Sequence, residues 1–182
     1  MFGIFKQKIL RKKQAKALYE ACVAQARLRV FYQELGVPDS VDGRFEMVAL
    51  HCFMAINRLN KAEQARLGQS LFDVFFVNMD RSLREMGVGD LGVPKHMKRM
   101  MQGFNGRRLN YQQALDSGDE EALKEVLLRN VYGTVDAPND DEVAYLATYI
   151  QASYNQEGAT AEFAPIDLIT IENKVIGEAR RA

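Results

Sequence analysis

His51 and Cys52 stand side by side in the run MVALHCFMAI, and they are the residues whose types most directly invite chemistry. Imidazole and thiolate are both metal ligands, and each can act as a base or nucleophile. Adjacent residues on a helix point about 100° apart, however, and no second ligand pair follows at zinc spacing. The other histidine, His96, lies beside Pro94 and Lys95, and the other cysteine, Cys22, lies in a separate apolar helical pattern. The arrangement favours His51 as a core or groove histidine with one hydrogen bond. It favours two buried, reduced thiols over a disulfide or a metal knuckle. A haem-binding carrier using His51 or His96 with a methionine is the alternative from another class, and it rests on composition alone.

GVGDLG, residues 87–92, has the look of a phosphate cradle. Its context fails that reading, since no strand precedes it, its glycine spacing does not match the dinucleotide fingerprint, and no Gly-Lys-Ser/Thr follows. A helix stop followed by a tight turn accounts for it better. Asp73, Asp80 and Arg84 share one helix face, with Asp80 and Arg84 in the favourable acid-first order. Seven residues of helix rise about 10 Å, too far for two carboxylates to cooperate in acid–base work. A polar network that orients the loop through Arg84, Glu85 and Asp90 is the simpler role.

Beyond that loop, Lys95, Lys98, Arg99, Arg107 and Arg108 carry positive charge with no acid between Leu91 and Arg108, and they interleave with Met97, Met100, Met101 and Phe104. Methionine side chains adapt to irregular apolar partners, so such a surface suits a hydrophobic polypeptide. The competing reading is that the methionines fill the core and the basic residues solvate its outer face. The expected groove lies between the helix carrying Phe72 and Phe76 and the helix carrying Met97 to Phe104, with Lys95, Met101, Arg107 and Tyr111 on the same surface. On this reading Met100→Glu or Phe104→Glu leaves the fold intact while abolishing client binding.

The elements that position these residues are helical. Phe2, Phe5 and Ile9 recur at helical spacing in a start that also carries Lys6, Lys8, Arg11, Lys12 and Lys13. This basic amphipathic arm, 1–16, can lie on an anionic membrane, contact RNA or a ribosome, or pack on its own domain. A helix is predicted from Leu18 to Leu35, ending at Gly36 and Pro38, and a central one from Phe45 to Leu59. Leu67 to Met86 gives a third, stopped by Gly87, and Pro94 opens a fourth. Asp119 and Asn139 are the expected caps of two more. The tail APIDLITIENKVIGEAR reads as helix or strand, and a lone strand would lack a partner. One all-α bundle of about seven helices over 17–182 is the predicted architecture.

Formal net charge is zero, so the whole molecule nominates no polyanionic partner. No run approaches the roughly twenty apolar residues of a spanning helix, and the start lacks the apolar stretch of a secretory signal. A location on the cytoplasmic side is expected, with peripheral contact to the inner face of the membrane through the arm.

The stretch LFDVFFVNMDRSLREMGVGDLGVPKHMKRMMQGFNGRRLNYQQAL resembles the ubiquinol-cytochrome c chaperone family. The likeness is carried by Phe72, Asp80, Leu83-Arg84-Glu85, Gly87-Val88-Gly89-Asp90-Leu91, Val93, Lys95, Met97-Lys98, Phe104, Gly106-Arg107 and Tyr111. It covers roughly residues 30–175 and leaves the arm outside. The resemblance implies an all-helical, non-enzymatic factor without cofactor or small-molecule substrate, which receives newly made cytochrome b during assembly of the bc1 complex. In mitochondria it implies a small partner protein at the ribosome's exit. A chain without a credible transit peptide is similar to a bacterial member, where that small subunit is in doubt.

Overall fold

A computed structural model describes the backbone of residues 2–156 and the side chains of 5–156. Seven α-helices and no strand occur among these described residues. The tail segment read above as helix or strand lies outside them.

α1 (Phe2–Ala26) is continuous, so the basic arm and the first predicted core helix are one element. Its buried positions, Ala15, Leu18, Cys22 and Ala26, repeat at three and four and form a single stripe. Between Phe5 and Gln14 no side chain is buried, so the first turns project beyond the packing. The helix predicted from Leu18 to Leu35 divides instead at Leu28, whose ψ of 132° is extended. The Tyr32 hydroxyl donates to the Ala26 carbonyl at 2.7 Å, satisfying a backbone group that the break leaves open. The short α2 (Arg29–Gln33) then turns Phe31 fully into the core, edge-on to Tyr149 with centroids 5.0 Å apart.

Ser40 caps α3 (Val41–Lys61) by accepting from the Gly43 N–H at 3.1 Å. Met47 to Ile56 are buried without interruption, which is why this stretch lacks a polar face in the sequence: α3 has neighbours all round. α4 (Ala65–Glu85) packs on both α1 and α3. It ends as the sequence predicts, at Gly87 with φ of 84°. There the Gly87 N–H donates to Arg84 O and the Val88 N–H to Leu83 O, both at 3.0 Å, the paired bonds of a left-handed helix stop.

α5 (Val93–Ser117) begins with Pro94 in its first turn and leans on α4, then on α6 (Glu120–Asn130). α7 (Asp140–Asn155) closes the bundle against α6 and α3. The predicted caps are in place: Asp119 accepts from Ala122 N–H, and Asn139 from Asp141 and Glu142 N–H.

Candidate functional site

The α4–α5 seam is filled by aromatic rings. Phe72 and Phe76 lie 4.6 Å apart, and Phe104 meets Phe72, Phe75 and Phe76 at 5.7, 5.3 and 5.8 Å. Phe76 and Phe104 are buried, as is Tyr111, which stacks on Phe53. A groove walled by Phe72, Phe76 and Phe104 is therefore not open. The same helical spacing that marks a groove stripe also marks a core stripe, and here the rings satisfy one another. Phe72 and Met97 are half-buried against this cluster.

The concavity lies at the next opening round the bundle. A cavity of about 920 Å³ is framed by α1, the start of α3, the end of α4, the middle of α5 and the exit of α6. Its apolar walls are Tyr19 and Val23 from α1, Val41, Phe45 and Val48 from α3, and Met79, Leu83 and Met86 of the α4 end. Of the predicted residues it gathers Met100, Arg107 and Glu85. Met101, Lys95, Arg84 and Asp90 are exposed nearby in sequence but are not part of its lining.

Five arginines line it: Arg27, Arg44, Arg99, Arg107 and Arg129, against Asp42, Glu46 and Glu85. Arg44 is held by Asp39 at 2.5 Å. Arg107 pairs with Glu46 at 2.6 Å across the α3–α5 gap, with the Glu46 side chain only 10% exposed. Burial pushes the Glu46 carboxyl up to about 7, and the Arg107 guanidinium offsets this only in part. The Arg107 Nε is buried behind this wall without a hydrogen-bond partner among the described residues, and the Asn130 amide there faces the Tyr111 hydroxyl as its donor. Burial raises the Tyr111 phenol far above its ordinary value, with the neighbouring Asn130 amide opposing.

Arg84 fixes the turn before α5 as expected, donating to Asp80 at 2.8 Å and also to Asp90. Glu85 takes no part in that network and faces the cavity instead.

Sequence reasoning missed Tyr19, Arg27, Phe45, Glu46 and Arg129, which come from four separate places in the chain. Glu46 alone left a signal, as the one acid inside the apolar start of the central helix.

His51 is fully buried, its Nδ1 2.7 Å from Met47 O and its Nε2 2.7 Å from the Tyr149 hydroxyl. A carbonyl only accepts, so Nδ1 carries the proton and Nε2 accepts from Tyr149, whose oxygen accepts in turn from Gln25. Burial lowers the His51 pKa from 6.5 to about 4. With both nitrogens engaged and no exposed edge, His51 offers no lone pair to haem iron, and of the carrier reading's two histidines only the exposed His96 is accessible. Cys22 and Cys52 are free, buried thiols, and burial first, then a hydrogen bond to Cys22, raises Cys52 well above its ordinary value. No helix among the described residues is long and apolar enough to cross a membrane.

A family model described as ubiquinol-cytochrome C chaperone matches residues 33–162, from the end of α2 past the end of α7. The chain belongs to that family. A solved structure, "Crystal structure of the Cbp3 homolog from Brucella abortus", is 33% identical to this chaperone-family chain. It covers 88% of this chain and 97% of its own, with a TM-score of 0.72. No curated protein sequence matches the chain. The family match begins after α1, which leaves the basic helix outside it.

Proposed function

We propose that this chaperone-family protein assists assembly of the ubiquinol-cytochrome c reductase complex by holding newly made cytochrome b, through binding and without catalysis. Family membership carries the reading. The cavity supports it as the holding site, because it is large and joins Met79, Met86 and Met100, flexible side chains that remould to different apolar segments. The buried rings Phe76, Phe104 and Tyr111, together with Phe72 and Met97, act beneath it as a rigid support.

A photo-crosslinker placed at Met86 or Met100 is expected to label cytochrome b in membranes making the complex, whereas one at exposed Thr148 on α7 is not. Equal labelling from both faces would remove the cavity as the client site.

The projecting part of α1 is the second half of the proposal. Phe5, Ile9 and Leu10 are 67%, 53% and 56% exposed, and Lys6, Lys8, Lys12 and Lys13 are exposed around them. Helical spacing puts Phe5 and Ile9 on one face, with Lys6, Lys8, Lys12 and Lys13 flanking it and Arg11 behind. That pattern supports a helix lying in the surface of an anionic membrane, where lysines reach up to the headgroups. A ribosome is the other surface the arm's charge would suit. Flotation with anionic liposomes distinguishes them, since Phe5→Glu together with Ile9→Glu abolishes membrane binding and leaves ribosome binding nearly unchanged.

A further inference from the structure

We infer that the cavity selects client segments that combine apolar side chains with carboxylates, and that Arg27, Arg99 and Arg129 are the groups that read the carboxylates. The inference rests on the reading of this cavity as the client site and names the chemistry of what docks there.

Arg27, Arg99 and Arg129 come from three different elements, at the end of α1, in α5 and at the end of α6, yet all line one opening. All three are exposed, and none has a salt bridge among the described residues. The remaining lining arginines are already matched, Arg44 by Asp39 and Arg107 by Glu46. Asp42 and Glu85 are acids on the same lining, so the three cations outnumber the two acids that have no ion pair. The aromatic and methionine walls supply the apolar half of the recognition.

A second observation favours a peptide over an aliphatic chain. The Arg107 Nε belongs to a lining side chain and lacks an acceptor. A small turn of the guanidinium about its Glu46 contact would offer this donor to a main-chain carbonyl or a carboxylate. The hydrocarbon of an acyl chain brings no acceptor to it and leaves the donor unsatisfied. Guanidinium groups at a partly desolvated apolar surface pair with carboxylates in two-point fashion, which gives orientation as well as attraction.

The test uses the full chain and three labelled synthetic peptides sharing one Leu/Val/Phe framework, with three Glu, three Gln or three Lys at the same positions. Fluorescence anisotropy at low salt is expected to rank Glu over Gln over Lys, with about a tenfold gap between Glu and Lys. The ranking should collapse in Arg99→Glu/Arg129→Glu and shrink in the milder Arg99→Gln, with circular dichroism unchanged because both residues are exposed. Equal binding of the three peptides, or a Glu preference that survives loss of the arginines, overturns the inference. So does capture of anionic lipid vesicles through these arginines with no peptide bound. Crosslinking from Met86 or Met100 to cytochrome b without any charge preference would sink this inference and leave the proposed function standing. A clear Glu preference with no crosslink to cytochrome b would do the reverse.

Discussion

His51, Glu46 and Phe104 are residues whose chemical type says less than their surroundings. His51 is neutral in the fold because burial lowers its pKa from 6.5 to about 4. The unfolded chain therefore binds a proton that the folded one refuses as pH falls through that window, and stability drops by about 3 kcal/mol from this group. Urea denaturation of the wild type from pH 7 to pH 4 should show the loss, and His51→Gln should be weaker at pH 7 but flatter below it. Glu46 has the opposite sign. Its pKa is raised from 4.5 to about 7, so its ionisation opposes folding progressively as pH rises across that interval. Glu46→Gln removes that slope, and its stability relative to the wild type should rise between pH 5 and pH 8; a parallel pair of curves would refute the assignment. Phe104, 3% exposed, is not a surface probe: Phe104→Glu should cost at least about 3 kcal/mol and unfold much of the population, whereas Met100→Glu should cost less because Met100 is only partly buried.

At the level of elements, helix ends carry the local information and contacts decide the rest. Gly87 has positive φ and open space around its α-carbon, so Gly87→Ala meets only the backbone cost, about 1 kcal/mol. Gly43 in the first turn of α3 has ordinary dihedrals, but a β-carbon there would stand 2.1 Å from Pro38 O. Gly43→Ala must push the backbone entering α3 away, at a cost of about 2 kcal/mol or more. Thermal melts of the two variants should rank them in that order. Pro94, Asp119 and Asn139 are legible as helix starts and Gly87 as a stop because capping chemistry is local, whereas the Ser40 cap of α3 lies in a stretch that reads as a turn. The break at Leu28 was not, because Leu28 is a good helix former and the reason for the break lies in Phe31's place between His51 and Tyr149. The continuity of α1 through the arm was equally hidden, since composition changes there while the backbone does not.

For the molecule as a whole, α1 joins a packed half to a projecting basic half. A chain beginning at Ala17 should keep the bundle, with thermal stability within a few degrees of full length, and lose liposome flotation. Retained flotation would place the membrane contact elsewhere. The sequence by itself determined the helical class, the starts of α5, α6 and α7 and most of the core stripes, since period and capping are properties of neighbours in the chain. It also carried the family likeness, in the ordered run from Phe72 to Tyr111. The tertiary structure alone decided which stripe is sealed and where the opening falls. Phe72, Phe76 and Phe104 close one seam by packing on each other, while Tyr19, Phe45, Glu46, Met100 and Arg129 meet around another. Helical periodicity fixes the face on which a side chain stands, but whether that face meets a neighbour or a space depends on how distant helices cross.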